Sequence, residues 1–360
     1  MKTKVGFTCV VLTVLLCFFS KNLGTCQETD WSSTIIHTPL GSLAGVNHHD
    51  PDGNLRLTTK KGIPFAKPPV GPLRLSKPKP KEPWQGVLNA TDYGLVCPQP
   101  PDYSMDGVVL NQTQSEDCLT LNIFVPAMNV STEALLPVMV WIHGGGFAYE
   151  DASVYDLSTI AVHGHVIVVN LNYRLGVLGF LSTGDDSAQG NYGVWDQRLA
   201  IQWVKENIVY FHGDADMITI FGESAGGISV GMHAISPVND RSLFQRVILQ
   251  SGTASTFFMN SPQEAATRTR QLGRLLQCET VDDSRELMDC LRNTSVDDLL
   301  TAAAKLKLEV VQLSPCYPTL DELEENPYPT DLVDGVPHGG ELEFLFGDYM
   351  KTNPGSLSAQ

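Results

Sequence analysis

Two apolar runs without a polar face, residues 138–142 (Val-Met-Val-Trp-Ile) and 166–171 (Val-Ile-Val-Val-Asn-Leu), predict strands covered on both sides. Residues 119–125 alternate well enough for another strand, 218–221 form a short apolar one, and 246–250 (Arg-Val-Ile-Leu-Gln) the next. Residues 191–210 carry a helical stripe at Trp195, Leu199, Trp203 and Val204, with Lys205 and Glu206 on the wet side. Apolar strands alternating with helices predict an α/β fold with a mostly parallel central sheet and helices on both faces. Three more helical patterns, 262–277, 284–291 and 296–306, predict a cap or side layer. Residues 41–46 and 62–66 read as short edge strands or turns. The proline-dense stretch 67–83 reads as extended coil wrapped over a core, and 316–337 is acidic, proline-rich and patternless.

Composition narrows the setting. The chain has 360 residues, of which 42% are hydrophobic and 18% charged, enough for one large core rather than two small ones. A net charge of −16 argues against nucleic acid or an anionic membrane surface as partner. Lys2 and Lys4 precede an apolar run over 5–19, then polar Ser20-Lys21-Asn22 and the small residues Gly24 and Thr25. That layout predicts a signal peptide over 1–25 and a single domain over 26–360, secreted or lumenal, with no stable membrane span; an uncleaved signal anchor is the alternative. In an oxidising compartment, local pairs are the economical reading of the cysteines: Cys97 with Cys118 and Cys278 with Cys290. Cys26 and Cys316 are left to pair, stay free or link chains. Four sequons, at Asn89, Asn111, Asn129 and Asn293, agree with a glycosylated secretory protein.

The chemistry gathers at residues 217–227, Met-Ile-Thr-Ile-Phe-Gly-Glu-Ser-Ala-Gly-Gly. A strand that turns at once into a helix around Gly222-Glu223-Ser224-Ala225-Gly226 puts the serine on a tight corner, where flanking bulk would strike neighbouring backbone. Ser224 Oγ would stand at a helix N-terminus, where backbone N–H groups favour developing negative charge. The plain alternative is a glycine-rich turn with an ordinary N-cap serine. A serine nucleophile also needs a base, an acid to orient that base, and an oxyanion hole. His143-Gly144-Gly145-Gly146-Phe147 follows the predicted strand 138–142 directly. The N–H groups of Gly145 and Gly146, with that of Ala225, would make a three-donor hole. Each such donor is worth about 3 kcal/mol of transition-state stabilisation.

Phe221-Gly-Glu-Ser-Ala-Gly-Gly227, the His143 loop, and Glu116-Asp-Cys-Leu-Thr-Leu-Asn-Ile123 together resemble the type-B carboxylesterase and cholinesterase family. So do Gly62-Ile-Pro-Phe-Ala66 with Pro68-Pro-Val-Gly71, and Asn191-Tyr-Gly-Val-Trp-Asp-Gln197. The likeness runs over about residues 35–310. It implies an α/β-hydrolase fold, a Ser-His-Glu triad, hydrolysis of small carboxylic esters through an acyl-enzyme without cofactor or metal, and the two local disulfides. Val336-Pro-His338-Gly-Gly-Glu341 resembles the family's histidine segment, which makes His338 the general base. His212, His48, His49 and His143 fit that role less well.

The chain departs from the family between Ser224 and His338, where the stretch is much shorter and no Gly-x-Asn-x-x-Glu segment supplies the acid. The triad acid is therefore unassigned, and the expectation is a shortened domain, incomplete at its C-terminal side, whose sheet has an exposed edge. Residues 98–117, within the first disulfide loop, hold Tyr103 but no tryptophan to stack on a choline ammonium, which favours a general carboxylesterase. Phe211-His-Gly-Asp-Ala215 lacks the family's second glycine and proline, a change expected to touch only a surface loop. The rival reading is a catalytically dead adhesion or ligand-binding module on the same scaffold. Oligomeric state is not legible.

Overall fold

The computed structural model describes residues 34–100, 113–128, 134–254 and 260–309. Its strands are β1 (Ile36–Thr38), β2 (Gly41–Ala44), β3 (Val46–His49), β4 (Leu55–Pro64), β5 (Val87–Asn89), β6 (Thr120–Pro126), β7 (Leu136–Ile142), β8 (Ile167–Leu171), β9 (Gly213–Glu223) and β10 (Arg246–Gln250). Its helices are α1 (Ser158–Gly164), α2 (Gly176–Phe180), α3 (Tyr192–Asn207), α4 (Ala225–Ile235), α5 (Pro262–Leu275), α6 (Ser284–Asn293) and α7 (Val296–Glu309). Seven strands form the main sheet in the order β10-β9-β7-β8-β6-β4-β3, and β1-β2-β5 form a small separate one. The main sheet is parallel from β10 to β8 and antiparallel from β8 through β6 and β4 to β3.

The apolar runs serve two cores at once, because successive side chains point to opposite faces. Val138, Val140 and Ile142 of β7, Ile167, Val169 and Leu171 of β8, and Ile218 and Ile220 of β9 pack with Ala200, Ile201 and Val204 of α3 and Ile228 and Val230 of α4. Trp141, Val168, Phe221 and Phe124 face the other way and pack with Ala161 of α1. Trp141 anchors that second core, its ring 4.9 Å from Phe221 and 5.0 Å from Tyr155. Helices thus cover both faces, as the sequence implies.

Two stretches expected at edges lie inside sheets. Gly41–Ala44 is the middle strand of the small sheet. Gly62, Ile63 and Pro64 end β4, which pairs with both β3 and β6. A buried lysine disguises β4: Lys60 is wholly covered, and desolvation pushes its ammonium down to about 8. The strand ending at Ser224 starts earlier than its apolar residues do. Its register with β7 jumps between Leu136↔Gly213 and Val138↔Ile218, so Asp214, Ala215, Asp216 and Met217 bulge from the ladder. The Phe211-to-Ala215 departure therefore falls at the start of β9 and its bulge.

At the other side, β10 ends the sheet among the described residues, with Val247, Ile248 and Leu249 exposed at 37%, 44% and 37%. An apolar edge strand templates association. Ile248→Lys is accordingly expected to lower concentration-dependent light scattering while moving stability by no more than about 0.5 kcal/mol. Unchanged scattering would mean that the β10 edge is not the sticky surface.

Both expected local disulfides are present, Cys97–Cys118 and Cys278–Cys290. The first closes a loop that Arg74 also holds: its guanidinium binds both Glu116 oxygens at 2.6 and 2.5 Å and the carbonyls of Arg292 and Thr294. Replacing Cys97 and Cys118 together by serine is expected to cost about 3 kcal/mol, read as a Tm lower by roughly 5–10 °C. A shift under about 2 °C would show that Arg74 and its neighbours hold the loop unaided.

Candidate active site

The corner at Ser224 is built by three strand ends. β9 delivers Glu223, α4 leaves at Ala225, and the Ser224 N–H donates to the carbonyl of Gln250, the last residue of β10, at 2.9 Å. Ser224 itself sits at φ 55°, ψ −119°, a conformation an L-residue holds only when its surroundings enforce it. The enforcement comes from the end of β7. A Cβ placed on Gly222 would lie 2.6 Å from the Ile142 carbonyl oxygen, and one on Gly226 would lie 2.0 Å from the same atom. The side chain of Ser224 does not cap α4, so the N-cap alternative has no support.

The glycine loop leaves β7 directly beside this corner. Gly145, Gly146 and Phe147 follow one another at φ 76°, 57° and 59°, a left-handed run that reverses the chain. Phe147 pins the far end, buried edge-on against Phe180 at 5.1 Å. Gly144 touches the corner: a Cβ there would meet Ser224 Cβ at 3.3 Å, and the Glu223 carbonyl oxygen and Oε2 at 3.0 Å each. The hydroxyl of Tyr173 donates to the carbonyls of His143 and Gly144 at 3.0 and 3.1 Å, and its ring stacks on His143 at 4.3 Å. Burial pushes the His143 imidazole down to about 3, so it is neutral near pH 7 and unsuited to general-base work.

Gly144, at the root of the glycine loop, and Ala225, the first residue of α4, thus stand beside Ser224, and Gly145 and Gly146 follow Gly144 in the loop. The segment carrying His338 lies outside the described residues, as do Asn111, Asn129, Tyr103, Cys26 and Cys316. Other histidines are engaged elsewhere: His212 with the Ala134 carbonyl, His233 with Gln197, and His48 with Thr59. Asn89 and Asn293 are exposed, and Asn89 Oδ1 accepts from the hydroxyl of Thr91, the third residue of its sequon, at 2.9 Å. No helix among the described residues is long and apolar enough to cross a membrane.

Two acidic residues at the corner carry no role in the sequence reading. Glu223 is buried inside the serine motif itself, and Glu150 is half-buried beside the glycine loop, its stem against Gly145. The available signal was an acidic residue close to a glycine turn, Glu150 four positions beyond Gly146 and Glu223 directly after Gly222, but only the fold reveals where each carboxyl sits.

Comparison with known proteins agrees with this geometry. The profile of the carboxylesterase family matches residues 32–338. Pyrethroid hydrolase Ces2e of Rattus norvegicus is 44% identical over 284 residues, 76% of this chain and 49% of that protein. Acetylcholinesterase of Danio rerio is 43% identical over 298 residues, 80% of this chain and 46% of its own length. Liver carboxylesterase of Sus scrofa is 43% identical over 284 residues, 76% and 48% respectively. The match spans about half the length of each of these curated relatives. A serine corner wedged beneath β7, a triple-glycine loop beside it and a family match over most of the chain lead to one conclusion: this chain belongs to the carboxylesterase family, with its α/β-hydrolase fold.

Proposed function

We propose that the chain is a serine carboxylic ester hydrolase acting on small-molecule esters. Ser224 Oγ attacks the ester carbonyl while His338 takes its proton. The N–H groups of Gly145, Gly146 and Ala225 hold the oxyanion, and His338 returns the proton to the departing alcohol. Water then attacks the acyl-enzyme by the same route, restoring Ser224. The observation that carries this reading is the strained, glycine-flanked Ser224 at the end of β9, in contact with the His143 to Phe147 loop. The similarity to a pyrethroid hydrolase and a liver carboxylesterase supports an enzyme over a binding module. The first disulfide loop, with Tyr103 and no tryptophan, supports a general carboxylesterase over a choline ester enzyme. We place the protein in the secretory pathway as a glycosylated single domain over 26–360 following a signal peptide over 1–25, a reading the two disulfides support.

A fluorophosphonate probe tests the assignment. The purified protein is expected to take one label that Ser224→Ala abolishes. A folded protein that takes no label, or a label that survives the substitution, would overturn it.

A further inference from the structure

Behind the glycine loop lies a residue that neither the sequence motif nor the proposed reaction uses. Glu150 is not a glycine, yet its backbone sits at φ 80°. Such a conformation persists only where neighbours enforce it, and it tends to mark functional positions. Here the neighbour is Gln99, which grips both backbone groups of Glu150: Oε1 accepts from Glu150 N–H at 2.8 Å and Nε2 donates to the Glu150 carbonyl at 3.0 Å. Gln99 is itself buried and fixed: its Nε2 donates to the Cys97 carbonyl, and its backbone N–H donates to Gln114 Oε1 at 2.9 Å. The clamp therefore runs from the Cys97–Cys118 loop to the turn that follows the glycines.

What the clamp aims is the carboxyl. The Glu150 stem lies against Gly145, whose added Cβ would meet its Cβ and Cγ at 3.1 Å. One oxygen accepts from the Tyr155 hydroxyl at 2.6 Å, and the group also accepts the N–H of Gly144. On the other side of the same peptide unit, the His143 carbonyl receives the Tyr173 hydroxyl. The His143–Gly144 peptide is thus held at both ends, its carbonyl by Tyr173 and its N–H by Glu150. It cannot rotate without breaking both hydrogen bonds. The amides of Gly145 and Gly146 follow immediately, and glycine peptides are the ones most free to turn over.

We propose that Glu150 is a positioning residue for the proposed hydrolysis. Its carboxyl locks the His143–Gly144 peptide, so that the following glycine amides stay turned toward Ser224. The inference rests on the esterase reading above. The titratable groups that act on the carboxyl are Tyr155, Tyr173 and Asp151. Burial pushes the carboxyl itself up to about 7, but a neutral carboxyl still accepts through its carbonyl oxygen, so the lock holds in either protonation state.

The test compares Glu150→Ala and Glu150→Gln with the parent on p-nitrophenyl acetate, and measures inhibition by an acyclic trifluoromethyl ketone that mimics the tetrahedral intermediate. Glu150→Ala is expected to lower kcat by roughly 10- to 100-fold with KM changed less than about 3-fold, and to weaken the ketone in parallel with kcat/KM. Glu150→Gln keeps an acceptor for Gly144 and is expected to stay within about 3-fold of the parent. An alanine variant that is folded and fully active would overturn the proposal, and so would a glutamine variant as impaired as the alanine one. Where Glu150→Ala does not fold, Tyr155→Phe is read instead: a fall in kcat of roughly 3- to 10-fold supports the lock, and no fall overturns it. A parent that neither hydrolyses the ester nor takes the fluorophosphonate label defeats the esterase reading itself. An active parent with indifferent Glu150 variants defeats only the lock.

Discussion

Ser224→Ala is expected to lower kcat for p-nitrophenyl acetate by on the order of 10⁵- to 10⁶-fold, with KM nearly unchanged. The substitution removes the attacking oxygen and leaves the glycine loop, the second core and the β7 wedge in place. Alanine suits φ 55° no better than serine does, so unfolding free energy should move by less than about 0.5 kcal/mol. The size of the fall also reports on the unassigned acid. A base that no carboxylate orients loses about 10⁴-fold on its own. In that case the parent starts low, and the step to Ser224→Ala shrinks to roughly 10²-fold. Equal rates for parent and variant would mean that Ser224 is not the nucleophile.

Gly226→Ala is expected to have the largest effect on the fold. Its new Cβ would stand 2.0 Å from the Ile142 carbonyl oxygen and 2.9 Å from that of His143, and both are backbone atoms at the root of the glycine loop. Neither can swing aside as a flexible side chain would. Either α4 lifts from β7 or the strand end bends, and both cores lose packing at the corner. The cost should exceed about 4 kcal/mol, or the protein should fail to accumulate in soluble form. Gly53→Ala is the control. Gly53 has a positive φ of 84° but nothing within 4 Å of an added Cβ, so it should cost only about 1–2 kcal/mol of backbone strain. Urea unfolding of the two variants separates clash from strain. A Gly226→Ala protein as stable as Gly53→Ala would show that the corner is looser than its geometry implies.

These residues also show why parts of the molecule are readable before the fold is known. The Ser224 corner is legible because its requirements are local in sequence: a strand, a turn that tolerates no bulk, and a helix start. The strands at 138–142 and 166–171 are legible because each buries both faces, so Trp141 needs covering as much as Val140 does. β10 exposes the limit of that rule. Arg-Val-Ile-Leu-Gln has the same continuous apolar run, yet its apolar side chains are more than a third exposed at the sheet's end. The antiparallel half was hidden for another reason. Pairing of β4 with β6 joins residues some sixty positions apart, and Lys60 makes a buried strand look polar. Glu150 was hidden for the same cause, since only tertiary contacts with Gln99, Tyr155 and Gly144 turn an acidic loop residue inward.

The proposed hydrolysis requires that amides of the glycine loop and of Ala225 face the oxygen that develops charge on the Ser224 adduct. A crystal structure of the protein phosphonylated at Ser224 measures this directly. The phosphonyl oxygen is expected within about 2.7–3.1 Å of the N–H groups of Gly145, Gly146 and Ala225. A phosphonylated Ser224 whose oxygen points to solvent, with the Gly145 and Gly146 amides turned away, would contradict it.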